Sequence, residues 1–140
     1  AVPSPDQTVQ LPRSVELRSI FRYVHPLDGP QIRQEAYQLI QEAHRRLEEG
    51  EDFDHVAAEC SQRSGAPERF YLQDGWDLAA IVSSLREGEI TPVIEVPNGY
   101  IIYQAIRFHP PEQRTYGKLP WWLKRVAFQE RFARMVERGK

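Results

Sequence analysis

Residues 85–106 read LREGEITPVIEVPNGYIIYQAI. Two apolar runs, TPVIEV and YIIYQAI, flank an Asn-Gly pair, which predicts a β-hairpin with Asn98 and Gly99 supplying the positive φ of a tight turn. Just before it, DLAAIVSSLREG brings Leu78, Ile81, Val82 and Leu85 to helical spacing and predicts a short helix closed by Gly88. After it, His109-Pro110-Pro111 ends the second strand.

Upstream of the hairpin, SVELRSIFRYVHP alternates around Val15, Leu17, Phe21 and Tyr23 and predicts a first strand that stops at His25-Pro26. DGPQIRQEAYQLIQEAHRRLEEG then predicts the longest helix, with Pro30 in the first turn, Ile32, Ala36, Leu39, Ile40, Ala43 and Leu47 at helical spacing, and Gly50 at the end. EDFDHVAAECSQRSG predicts a shorter helix with acids at its positive end and Phe53, Val56, Ala57 and Cys60 on one side. APERFYLQDGWD has no dominant period and reads as a loop holding a short strand or turn.

Strand, long helix, short helix, loop, short helix and hairpin make an α+β domain in which helices cover a small, mostly antiparallel sheet. The organisation expected is a polar tail over 1–14, one domain over 15–110, and a linker with a C-terminal amphipathic helix over 111–140. In that last segment WWLKRVAFQERFARMVERGK places Trp121, Phe128, Phe132, Met135 and Val136 on one arc at 100° per residue. Such a helix must bury its face, either on its own domain or against a second copy in a homodimer through Trp121, Phe128, Phe132 and Met135.

Composition narrows the function. The chain has 140 residues, 41% hydrophobic and 27% charged, which is globular, and no apolar run is long enough to span a membrane. A net charge of −2 is too small to recruit nucleic acid by field alone, and the arginines are scattered rather than clustered. Cys60 is the single cysteine, so no intrachain disulfide forms and the compartment is left open; its place on an apolar helix side makes it a core residue. His25, His44, His55 and His109 fit no zinc spacing, and Glu48, Glu49, Glu51, Asp52 and Asp54 lack the pattern of a calcium loop, so neither a metal nor a cofactor is expected.

The hairpin string with its leading helix resembles the end of the parvulin-type peptidyl-prolyl isomerase domain: a leucine, Gly-Glu-Ile-Thr, Pro-Val, a turn, then Gly-Tyr and an apolar strand. LEEGEDFDHVAAECS, residues 47–61, is similar to the same family's Gly-x-x-Phe-x-x-x-Ala segment. The resemblance covers about residues 15–110 and implies a four-stranded, mostly antiparallel parvulin-like sheet. It also implies polypeptide partners, extended or unfolded and proline-containing, and, as in the family's extracytoplasmic foldases, a place in the periplasm or cell envelope.

In the family two histidines lie side by side under the substrate proline. The resemblance puts Ser19 and Ile101 at those positions, Arg63 at the family's cysteine or aspartate, and Ala66, Asp74 and Leu78 in the proline pocket. Isomerising an X-Pro bond breaks no σ bond; a catalyst need only favour the twisted amide over a planar one whose barrier is roughly 20 kcal/mol. Ser19 supplies one hydroxyl and Ile101 no polar group. The expectation is a protein-folding module that binds peptides with weak or no catalysis. An active isomerase with a modified site is the alternative, and a structural dimerisation domain the second.

Overall fold

The computed structural model describes residues 3–73 and 75–127. Its main sheet has four antiparallel strands in the order β3–β2–β5–β4, with β2 at Ser14–Tyr23, β3 at Glu68–Tyr71, β4 at Ile94–Val96 and β5 at Gly99–His109. β2 and β5 are the long central pair, and each carries apolar side chains on both faces. On one face Ile20, Tyr100 and Ile102 pack against helices α1, Pro30–Glu48, and α2, Phe53–Cys60. On the other, Val15, Leu17, Phe21, Ile101, Tyr103 and Ala105 pack against α3, Ala79–Ser83, and the segment leading to it. This is the expected α+β layering.

Local chemistry places the helices where the spacing predicts them. Pro30 occupies the first helical position of α1, where its missing N–H costs nothing. Ala36, Ile40 and Ala43 are its buried face. Ile40, fully buried, contributes about 2 kcal/mol. Ile32 and Leu39 stay exposed, so the buried stripe is narrower than the apolar pattern. The Asp52 carboxylate caps α2 by accepting from the His55 N–H. Cys60 at its end is partly buried. α3 is one turn long and ends before Ser84, short of the helix through Leu85 expected from the sequence.

The hairpin is present, with its turn one residue earlier than Asn98–Gly99. Val96 pairs with Gly99, so the two loop residues are Pro97 and Asn98, and no residue other than glycine has positive φ among those described. Gly99 opens β5 with φ +150°. A Cβ there would meet the Arg22 carbonyl oxygen at 2.0 Å, so glycine lets β5 approach β2 closely.

The chain ahead of Ser14 is not tail throughout. Thr8–Leu11 forms β1, which pairs antiparallel with β6, Glu112–Thr115, in a separate two-stranded sheet. Residues 121–127 are helical and lie on it. Leu123, Val126 and Ala127 join Val9, Leu11, Tyr71 and Leu119 in a second core. Trp122 packs near Tyr71 with ring centroids 6.4 Å apart, whereas Trp121 is 75% exposed. Phe128, Phe132, Met135 and Val136 lie outside the described residues.

Arg69 ties the two sheets together. Its Nε donates to the buried Ser14 hydroxyl at 2.9 Å, and its terminal nitrogen binds Glu112 on β6. This hydrogen bond holds the Glu112 carboxyl below the usual carboxylate range. A depressed folded-state pKa stabilises the fold above the unfolded value and loses that contribution as pH falls through the folded one. The groups are about a third exposed, so Glu112→Gln should cost less than about 1 kcal/mol at pH 7 and nothing once acid has protonated Glu112. Urea unfolding of both proteins across the acid range checks this, and a cost that persists in acid would exclude the charge as its source.

Candidate functional site

The α3 face of the sheet is built by alternation. In β2 the residues Leu17, Ser19, Phe21 and Tyr23 point to one side, and their β5 partners Ala105, Tyr103, Ile101 and Gly99 point the same way. A bulge skips Ile106 between the pairs Glu16–Arg107 and Leu17–Ala105, which keeps this register. Ser19 stands directly across from Tyr103, and Ile101 across from Phe21. Ser19 and Ile101 are thus diagonal neighbours on adjacent strands, about 7–8 Å apart in such a ladder.

Their surroundings differ in character. Ile101 is 2% exposed and Phe21 1%, both enclosed by the same cluster that holds Val82 of α3 and, partly buried, Leu78 and Ile94. Ser19 is half-buried. Phe70 stacks on Trp76 with centroids 5.4 Å apart and meets Tyr103 edge-on at 5.9 Å. Burial raises the Tyr103 phenol above its ordinary pKa, an effect that Arg63 partly opposes. The phenol is therefore protonated at neutral pH and remains a hydrogen-bond donor.

Arg63 reaches this face from the loop after α2. Its guanidinium carbon lies 4.0 Å from the centroid of Phe21, and its Nε donates to the Tyr23 hydroxyl at 3.0 Å. The loop is anchored to β2, since the Gln62 N–H donates to the Phe21 carbonyl at 2.8 Å and the Phe21 N–H to the Ser61 hydroxyl at 3.1 Å. Ser19, Ile101 and Arg63 therefore gather around Phe21 and Tyr23. Leu78 caps α3 at the rim of the cluster. Ala66 sits apart from them, lining a cleft beside α2 together with Arg63. Asp74 lies outside the described residues.

Phe21, Tyr23 and Tyr103 surround these candidate positions, and the motif comparison overlooks them. Their signal is the period-2 placement of aromatics on the very strands that carry Ser19 and Ile101. Among the described residues no group of three or more His, Cys, Asp or Glu side chains is arranged to hold a metal, and no helix is long and apolar enough to cross a membrane.

Comparison with known proteins agrees with the topology. Among curated proteins there is no match. A crystal structure of a PpiC-type peptidyl-prolyl cis-trans isomerase domain superposes with a TM-score of 0.55 at 21% identity, over 71% of this chain and 94% of that one. The peptidylprolyl isomerase PrsA from Bacillus anthracis gives 0.55 at 18% identity, over 88% of this chain and 54% of its own. One of two SurA-like chaperones of Campylobacter jejuni, PEB4 and the periplasmic Cj1289, gives 0.50 at 17%, over 94% and 53%. The chain thus spans nearly all of an isolated isomerase domain and about half the length of the PrsA and SurA-like proteins. These likenesses carry the fold. The model of the rotamase family, the PPIC-type PPIase domain, matches residues 20–107, and the chain belongs to that parvulin family.

Proposed function

We propose that this domain assists protein folding by holding extended, proline-containing polypeptide segments, with little or no turnover of the X-Pro bond. Ile101 carries the reading. It takes a position where the family resemblance implies an imidazole, it has no polar atom, and it is 2% exposed beneath its neighbours. A twisted amide gains nothing from it, whereas an exposed rim of Tyr23 and Arg63 suits contact with an extended chain. Residues 15–110 form the working unit in this reading, and the periplasmic description of Cj1289 favours a place outside the cytoplasm.

Tyr103 favours a second reading, an isomerase with a modified site. Its protonated phenol and the Ser19 hydroxyl share one face, next to Arg63, and together they offer donors that could replace a histidine pair. A structural dimerisation role rests on Trp121, which is largely exposed at the start of the terminal helix.

Cis-trans exchange rates on a panel of X-Pro peptides, with the residue before proline varied, separate these readings. The proposal expects no more than a few-fold acceleration, together with suppressed aggregation of an unfolded client. Strong acceleration on any peptide would establish the isomerase instead. Neither effect, with a concentration-dependent dimer, would leave the structural role.

A further inference from the structure

The outer edge of β2, facing away from β5, is paired at both ends and free in the middle. β3 covers Ser14–Leu17. The Ser61–Gln62 segment covers Phe21 and Tyr23, the latter through its N–H to the Gln62 side-chain oxygen at 2.6 Å. Backbone groups alternate in direction along a strand, so the N–H and C=O of Ser19 point outward as those of Phe21 do. Tyr103, across from Ser19, accordingly bonds on its far side, to Thr91. Among the described residues nothing bonds to the Ser19 amide or carbonyl.

The connecting loop runs beside α2 here, where a Cβ added at Gly65 would lie 3.5 Å from that of Ala57. Between them is a cleft of about 570 Å³ whose walls include Arg18, Asp54, Ala58, Arg63 and Ala66. Arg18 is compensated by Asp54 at 2.8 Å. Arg63 has no carboxylate partner among the described residues, and its Nε bond to Tyr23 and its stacking on Phe21 hold the guanidinium still. A fixed guanidinium with free terminal N–H groups, beside an unpaired stretch of strand edge, is a recognition pair for backbone and anion together.

We propose that an extended polypeptide segment bearing a carboxylate docks along the outer edge of β2 beside this cleft, its backbone pairing with Ser19 and its carboxylate binding Arg63. This deepens the polypeptide-binding reading and rests on it. It adds an acidic preference and moves the contact to the outer edge of β2, independent of proline.

The test uses two proline-free, end-capped peptides, TVEVT and its glutamine twin TVQVT, titrated into the full chain by fluorescence anisotropy, with amide shifts followed by NMR. The acidic peptide should bind about fivefold tighter or more. Arg63→Gln should abolish that difference, Ala58→Glu should reverse or erase it by placing a like charge in the cleft, and the Ser19 amide should shift on binding. Equal affinity for the two peptides, an acidic preference that survives Arg63→Gln, or binding that leaves the Ser19 amide unmoved each overturns the proposal. Binding of X-Pro peptides with any of those results would leave the wider folding-assistance reading intact.

Discussion

Gly99→Ala should destabilise the protein by about 3 kcal/mol or more, the largest effect expected of a methyl group added at any of the described glycines. Two causes add. A φ of +150° is strained for any residue with a side chain, and the new Cβ would sit 2.0 Å from the Arg22 carbonyl oxygen, which is backbone and cannot swing aside. Relief requires β5 to draw back from the end of β2, where the Val24 N–H also bonds to the Asn98 carbonyl at 3.0 Å. Urea unfolding measures the loss, and amide exchange at Tyr23 and Tyr100 should rise most. Gly29→Ala is the control. Its φ is −71° and nothing lies within 4 Å of the added carbon, so it should cost no more than about 1 kcal/mol, the difference between glycine and alanine as the N-cap of α1. Equal behaviour of the two variants would mean that the hairpin does not make this close approach.

The hairpin shows what is legible from sequence and what is not. Two β-rich runs around Pro-Asn-Gly announce a turn, but the position of positive φ depends on register, and register is set by how β5 meets β2. Pro97 fixes its own φ negative and takes the first loop position, which pushes Gly99 into the strand. The β1–β6 sheet is less visible still. TVQL and EQRT are four residues each, mostly polar, and lie about a hundred residues apart. Neither has enough pattern to reveal a partner that distant. The terminal helix divides in the same way. The periodic arc predicts a helix, yet its first turns bury Leu123, Val126 and Ala127 rather than Trp121, because the surface offered by Val9 and Leu11 selects which side faces inward. At the candidate site the positions of Ser19 and Ile101 follow from motif spacing. The place of Arg63 does not, since it is held by Phe21 and Tyr23, forty residues earlier.

Ile101→His, which restores the imidazole implied by the family resemblance, should not restore a catalyst; it should cost about 3 kcal/mol of stability. The side chain is 2% exposed, paired across the strands with Phe21 on one side and Ile94 on the other, and packed by residues that include Val82 and Tyr103. Removing isoleucine forfeits its buried apolar area, and a buried imidazole, with one donor and one acceptor, adds a further penalty wherever either finds no partner. The cost should also depend on pH. Burial depresses the pKa of a histidine in the folded state, while the unfolded chain titrates near the ordinary value of about 6.5. The unfolded state then binds the extra proton, so stability is greatest above about pH 6.5 and falls as pH drops below it. Urea midpoints at pH 8 and pH 5.5 should diverge in Ile101→His by more than in the parent protein. X-Pro exchange at pH 8 should stay slow in this variant and in the Ser19→His/Ile101→His pair. A double variant that is as stable as its parent and faster on X-Pro peptides would mean that this face opens to substrate, and the burial of Ile101 would then no longer account for slow turnover.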